Sequence, residues 1–403
     1  MTIGHGLLVS LIAAASVVAQ FQAPVAPRPA VLWHTTARAR GVPAVLGDTA
    51  YALSADHQVL AVALSDGQER WRSPTGETAR TTEGSRVVAT PHAVVVGDWD
   101  VHAFEPGSGR RLWRFDAAAG QGAGVFLGST HGEAVFSGSP AGRLHAIDAR
   151  RGREIWTAVV EADGRTSVFP PVTDGDVVVA GFTNFTAPNT GGVVAVDAAT
   201  GQERWRFRFP LPADRSLSVN SAGDPVLTAG MAIASGGDGQ IWALDLRTGA
   251  VRWTLPRLVG PFRGVITVAD RDFRALAVVG RRLIAGSLTG YVAAYDLETR
   301  QEAWRVESGW LGSNGFVFTA DDRHVYVPYV SGTLLAIDVA DGRVTWSTDD
   351  HTPGMAWAPA SSGDRVVAAG LSGVWAFPVH YPPLRRVATA TAPRSLRQLE
   401  TMP

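Results

Sequence analysis

Few residues in this sequence combine at the spacings that catalysis or metal binding requires. The 403-residue chain has ten histidines and no cysteine, and it contains neither an H-E-x-x-H nor a G-x-S-x-G motif. Asp174-Gly175-Asp176 resembles the start of a calcium loop, but the later acidic ligands are missing and turn formation explains the residues. His131 and His145 flank strands of one repeat, where ordinary strand histidines are far commoner than ligands. The sequence therefore predicts no catalytic residue and no metal site.

The overall charge is close to zero, which limits the classes of partner. Arginine supplies all 36 basic residues against 37 acidic ones. A protein that binds nucleic acid through its phosphates needs an excess of positive charge, so we expect no nucleic-acid partner. The absence of cysteine also excludes thiolate metal sites, a cysteine nucleophile, disulfides and a lipid-modified N-terminal cysteine.

The N-terminal residues differ from the rest of the chain. Residues 7–19 form a thirteen-residue, largely apolar run with two serines, ending in the small residues Val17-Val18-Ala19. This pattern predicts a signal peptide over residues 1–19 and an exported protein of the periplasm, cell envelope or exterior. His5 stands where a basic residue is expected, so an uncleaved anchor or a misassigned start remains an alternative. Residues 20–29 are predicted to be a Pro-rich linker.

One repeated unit, x-A-x-D-x-x-x-G-x-x-x-W, dominates the sequence. Six copies place an alanine ten residues before the tryptophan, and a seventh, from Ala63 to Trp71, is interpreted as shorter. The copy ending at Trp304 has Arg300 in place of the glycine, which predicts a less regular turn. Consecutive tryptophans of the repeat, from Trp71 to Trp346, lie 42 to 51 residues apart. This period is that of a four-stranded propeller blade, and the short β-branched segments between the turns predict strands.

The strand count predicts an all-β, eight-bladed propeller of four-stranded antiparallel blades. Eight strands precede the repeated turn, and the last of them, near Ala376, has no tryptophan strand after it. The Trp33 strand has no such strand before it, so it is expected to complete the last blade and close the ring. The propeller is predicted over residues 30–379 and a flexible tail over 380–403. The expected blade-docking side chains are Trp33, Trp71, Trp113, Trp156, Trp205, Trp253, Trp304 and Trp346.

The repeat resembles that of the pyrroloquinoline quinone (PQQ) propeller family, A-x-D-x-x-T-G-x-x-x-W. The segments from Ala195 to Trp205 and from Ala243 to Trp253 match it throughout. The resemblance implies one of two branches: dehydrogenases that hold PQQ and calcium in the central channel, or quinone-free scaffolds similar to the B component of the outer-membrane β-barrel assembly machinery. The dehydrogenases are longer and cover the quinone with a disulfide between adjacent cysteines. A chain without cysteine is more similar to the scaffolds, although their usual lipid-bearing cysteine is also missing.

Loop length varies on one face of the predicted disc. The long connections follow Trp156, Trp205, Trp253 and Trp304, and another lies within residues 182–192. Aromatic, arginine and asparagine side chains in these loops suit a protein-binding hot spot, although each aromatic could simply anchor its own loop. The candidate partner-binding residues are Phe182, Asn184, Phe185, Arg215, Asn220, Phe262, Arg263, Trp310 and Asn314.

The sequence therefore predicts a non-enzymatic, cofactor-free scaffold of the cell envelope, a monomeric ring that presents its long-loop face to a protein partner. The alternative is a PQQ-dependent dehydrogenase with quinone and calcium in the central channel. A third possibility is a module that binds sugars or polymers.

Overall fold

The computed structural model describes residues 26–77, 85–117, 125–186, 190–210, 224–236, 239–255, 273–287, 291–307, 318–328, 333–348 and 357–380. The predicted signal peptide lies outside these residues, as do residues 20–25 of the linker and the tail beyond His380. In the described part of the chain, no helix has the length and apolar character needed to cross a membrane.

Eight antiparallel sheets follow one another along the described chain. The first strand, β1 (Trp33–Thr35), precedes blade 1, which is β2 (Ala39–Leu46), β3 (Thr49–Ser54), β4 (Gln58–Ala63) and β5 (Glu69–Pro74). Blade 2 is β6 (Val87–Ala89), β7 (Val94–Gly97), β8 (Val101–Phe104) and β9 (Arg111–Phe115), and blade 3 is β10 (Phe126–His131), β11 (Ala134–Gly138), β12 (Arg143–Asp148) and β13 (Glu154–Val159). Blade 4 is β14 (Thr166–Val168), β15 (Val172–Thr173), β16 (Val177–Asn184), β17 (Thr190–Asp197) and β18 (Glu203–Arg208).

The later blades repeat this plan. Blade 5 is β19 (Val226–Thr228), β20 (Met231–Ser235), β21 (Ile241–Asp245) and β22 (Val251–Leu255), and blade 6 is β23 (Phe273–Val279), β24 (Arg282–Ser287), β25 (Tyr291–Asp296) and β26 (Glu302–Glu307). Blade 7 is β27 (Thr319–Ala320), β28 (His324–Pro328), β29 (Leu334–Asp338) and β30 (Val344–Ser347), and blade 8 contains β31 (Ala360–Ser362), β32 (Arg365–Gly370) and β33 (Gly373–Pro378).

The N-terminal strand completes blade 8. Trp33 of β1 lies opposite Ala376 of β33, and the Leu32 amide donates to the Ala376 carbonyl over 2.9 Å. The last blade thus joins the two ends of the described ring, which leaves no open seam between blades 8 and 1. The predicted eight-bladed fold is confirmed.

The hydrophobic core lies between blades. In one cluster, Trp205 and Ala195 of blade 4 pack with Ala234 and Leu244 of blade 5, and all four side chains are buried. Such a core forms only when neighbouring repeats stack, because a single blade cannot bury either of its own faces.

The strand register corrects the interpretation of the first repeat. Trp71 lies opposite Ala61, ten residues before it, so this copy is not shorter than the others. Ala63 takes the place of the repeat aspartate, because its carbonyl accepts from the Gly67 amide just as the Asp148 carbonyl accepts from Gly152. The interpretation of this copy as shorter was wrong because the hydrogen-bonded turn needs the backbone at that position and not the carboxylate.

A turn glycine of each of six blades lies against the tryptophan of the preceding blade. A Cβ added to Gly249, whose φ is +72°, would lie 2.7 Å from the Trp205 indole. The Trp205 Nε1 donates to the Leu246 carbonyl of the same turn over 2.8 Å. Six of the eight repeat tryptophans make this hydrogen bond to the next blade's turn: Trp33, Trp71, Trp113, Trp156, Trp205 and Trp304.

The turn at Arg300 keeps the shape of the others, so the prediction of a less regular turn was wrong. The Arg300 amide donates to the Asp296 carbonyl over 2.7 Å, and its φ of 61° is that of the glycines. What differs from the other repeats is the indole of the preceding blade, Trp253. This indole is only partly buried and, within the described residues, makes no hydrogen bond to the turn.

Replacing Arg300 with glycine is expected to raise the free energy of unfolding by about 1 kcal/mol. The substitution relieves a left-handed conformation and restores the glycine that lies against an indole in six other turns. Chemical denaturation followed by circular dichroism measures the change. Gly249→Arg is the matched control at the neighbouring seam, where strain and the contact with Trp205 should lower stability by about 2 kcal/mol. Equal effects of the two substitutions would contradict this account.

Candidate partner-binding face

Three of the nine predicted partner-binding residues, Phe182, Asn184 and Phe185, are described, and they lie together on blade 4. The other six lie outside the described residues: Arg215, Asn220, Phe262, Arg263, Trp310 and Asn314. Their clustering on one face therefore stays a prediction.

The middle hairpin of blade 4 extends beyond those of the other blades. Its strands β16 and β17 are eight residues long, whereas the two middle strands of every other blade have four to six residues. The additional pairs, Thr183 with Gly191 and Asn184 with Thr190, lie at the loop end. At roughly 3.3 Å per residue, they lengthen the hairpin by about 7 Å. Blade 4 thus reaches out from the long-loop face.

Phe182 supports this hairpin from inside. Its side chain is fully buried, and the guanidinium carbons of Arg206 and Arg208 lie 5.7 and 5.4 Å from its ring centroid. We therefore assign to Phe182 a supporting role, since it has no surface to offer a partner directly. Cation–π contact of this kind orients the guanidinium groups on the outer strand β18.

Glu161 fixes the position of Asn184. Its Oε2 accepts from Asn184 Nδ2 over 3.1 Å and from Thr166 Oγ1 over 3.0 Å, and its Oε1 accepts from Arg208. Burial alone would raise the pKa of Glu161, but the hydrogen bonds from Asn184, Arg208 and Thr166 outweigh it and hold the pKa below its usual range. Sequence reasoning missed Glu161 because it lies in a connection, outside the repeat.

Phe185 is the exposed aromatic residue of this site. Its side chain is 53% exposed, and its amide donates to the Arg165 carbonyl over 3.0 Å. The following amide, of Thr186, donates to Asn184 Oδ1 over 2.8 Å. An aromatic ring on a backbone held in this way loses little entropy on binding, which suits a contact residue.

A second polar cluster, which the repeat pattern did not reveal, joins blades 1 and 2. The buried carboxylate of Asp98 accepts from Arg40 Nη2 over 2.7 Å, from His57 Nδ1 over 2.7 Å and from Thr75 Oγ1 over 3.0 Å. His57 adopts a φ of 62°, which few histidines do. Arg40 and His57 belong to blade 1 and Thr75 to the connection that follows it, whereas Asp98 lies in the middle hairpin of blade 2. The cluster therefore ties the long-loop ends of the two blades together.

An ion pair crosses the axis of the ring. Arg86, just before the inner strand of blade 2, lies 2.7 Å from Asp224, just before that of blade 5, and both are largely buried. Burial raises the pKa of Asp224, and the charge and hydrogen bond of Arg86 oppose this. Because blades 2 and 5 are not neighbours in the ring, the pair bridges the central channel between them. No three or more His, Cys, Asp or Glu side chains among the described residues are grouped to hold a metal ion. The described residues therefore do not supply the group of acidic side chains that a calcium ion needs.

Comparisons with known proteins separate the two branches of the family. The factor BamB of Bordetella pertussis is 25% identical over 307 residues, covering 67% of this chain and 76% of that protein. The crystal structure of BamB from Moraxella catarrhalis has a TM-score of 0.62 at 18% identity, covering 88% of this chain and 100% of that one. Quinohemoprotein alcohol dehydrogenase ADH-IIG of Pseudomonas putida is 29% identical over 186 residues, which cover 40% of this chain and only 25% of that enzyme.

A family match spans all eight blades. The family described as outer membrane protein assembly factor BamB matches residues 28–101, 97–348 and 288–379. The predicted resemblance to the scaffold branch is thereby confirmed. This chain belongs to the outer membrane protein assembly factor BamB family.

Proposed function

We propose that this protein is a non-enzymatic scaffold of the cell envelope that acts in outer-membrane protein assembly. The family match over the whole ring carries the proposal. The protein is exported, in keeping with the apolar segment over residues 1–19, and works without a cofactor. Its partner is a protein of the envelope, and the long-loop face with the blade 4 hairpin receives it.

The dehydrogenase alternative has less support. The similarity to the quinohemoprotein covers a quarter of that enzyme. The ion pair between Arg86 and Asp224 also bridges the channel in which the dehydrogenase alternative would hold its quinone. Titration of the purified protein with PQQ and calcium tests this alternative directly. Stoichiometric quinone absorbance together with dye-linked alcohol oxidation would overturn the scaffold proposal.

Replacing Phe185 with alanine is expected to weaken partner binding while leaving the fold intact. The exposed ring adds little to the core, but a hot-spot aromatic contributes about 2 kcal/mol to binding, which is roughly 30-fold in affinity. The measurement places a photoreactive residue at Thr186, crosslinks in the native envelope, and compares the yield of the major adduct with and without F185A.

Leu371→Ala is the matched control for this prediction. Leu371 is 46% exposed and lies in the middle hairpin of blade 8, so it is on the same face at a similar exposure. The L371A variant should retain the adduct and the rescue of outer-membrane protein levels in a strain lacking the chromosomal gene. Equal yields from F185A and the unaltered protein would remove Phe185 from the partner-binding site.

A further inference from the structure

The outer strands of most blades have arginine beside the repeat tryptophan. Each outer strand is a sheet edge with unpaired backbone groups, and a charged side chain there discourages pairing with another chain. Five of the eight edges carry such an arginine: Arg70 and Arg72 on β5, Arg114 on β9, Arg204 and Arg206 on β18, Arg252 on β22 and Arg305 on β26.

Two of the three remaining edges involve the N-terminal segment. On β30, the amide of Ser347 donates to the Pro27 carbonyl over 3.1 Å, and the Ala26 amide donates to Ser347 Oγ over 3.1 Å. This segment then continues into β1, the outer strand of blade 8. An edge without arginine is therefore seen to make a main-chain hydrogen bond with a segment that lies outside its blade.

The third edge without such an arginine, β13 of blade 3, pairs with no other strand on its outer side among the described residues. Its flanking residues are Ile155 and Thr157, and the side chains of Ile155 and Val159 are 51% and 49% exposed. The Val160 amide donates inward to the Gly142 carbonyl, so alternation along the strand turns the amides of Thr157 and Val159 outward.

The residues that follow β13 contact blade 4 beside its middle hairpin. Arg206 donates to the Val160 carbonyl over 2.9 Å, and the next residue, Glu161, holds Asn184. A strand lying along β13 would therefore end beside the site proposed for the partner.

We propose that the outer edge of β13 binds an extended segment of another polypeptide as a fifth antiparallel or parallel strand. The segment carries apolar β-branched side chains at alternate positions, because Ile155 and Val159 offer apolar surface and no charge. At the β30 edge, one main-chain hydrogen bond, from Ser347 to Pro27, shows that such an edge can hold a neighbouring backbone. The interaction is separate from the contact at Phe185, since it uses the rim of the disc and backbone hydrogen bonds.

The probe is a short labelled peptide that alternates valine with threonine and carries glutamate at both ends. Fluorescence anisotropy with the full chain measures binding, and hydrogen exchange locates it. We expect exchange of the Thr157 and Val159 amides to slow on binding. T157R, which copies the residue that β18 has at this position, should weaken binding at least about tenfold. T254R, on the already charged edge β22, is the matched control and should bind as the unaltered protein does.

A second peptide, N-methylated at alternate residues, tests whether the backbone pairs. It keeps the apolar side chains but cannot form the ladder, so it should bind at least about tenfold more weakly. Failure of the unaltered protein to bind the first peptide overturns the proposal, as does equal binding by T157R or by the methylated peptide. F185A should bind the peptide normally, so loss of this edge and loss of the partner-binding face are distinguishable.

Discussion

Replacing Trp205 with alanine is expected to lower the free energy of unfolding by about 3–5 kcal/mol. The indole is buried between blades 4 and 5, and a truncation there leaves a cavity that the rigid sheets cannot fill. The Leu246 carbonyl also loses its hydrogen bond from Nε1. Urea denaturation followed by far-ultraviolet circular dichroism gives the value, because thirteen tryptophans make fluorescence difficult to assign.

Trp253→Ala provides the comparison that makes this prediction specific. Trp253 has the same place in the repeat, opposite Ala243, but it is partly exposed, and the next blade's turn carries Arg300 in place of glycine. Its loss should therefore cost about 1–2 kcal/mol, because less apolar area returns to water. If the two alanine variants were equally destabilised, the contact between indole and turn would not be what joins the blades.

The ring was predictable from the sequence because its determinants recur in every repeat. An alanine, a turn and a tryptophan at fixed spacing specify the strand, the reversal and the contact with the next blade. The errors came where a repeat position is filled by an unexpected residue. Ala63 keeps the turn through its carbonyl, and Arg300 keeps it by adopting a glycine-like conformation. In both cases the backbone hydrogen bonds of the turn overrode the side-chain pattern.

The site was less predictable because its residues come from different, non-repeating segments. Phe182 and Phe185 were both candidate contact residues, but β16 ends at Asn184, so Phe182 is buried within the sheet and Phe185 is exposed beyond it. The length of β16, which decides this, is fixed by pairing with β17 and by the Glu161 contacts. The Asp98 cluster combines a strand, a hairpin and a connection, and no spacing in the sequence relates them.

Removing the carboxylate of Asp98 is expected to destabilise the protein by about 3–5 kcal/mol in Asp98→Ala. Arg40 would keep a buried guanidinium without its counter-charge, and within the described residues its Nε and Nη1 already have no hydrogen-bond partner. His57 and Thr75 would each lose a hydrogen bond at the same time. Denaturation of the purified variant measures the loss.

The double variant D98A/R40M separates the unpaired charge from the lost contacts. Methionine fills much of the volume of the arginine stem without a charge, so the double variant should recover most of the stability lost in D98A. A thermodynamic cycle over the two single variants and the double variant then gives the coupling between the two residues. If D98A and D98A/R40M were equally unstable, the hydrogen bonds to His57 and Thr75 would hold blades 1 and 2 together, and the ion pair with Arg40 would contribute little. The predicted recovery instead makes the buried charge the reason that these two blades must meet in one register.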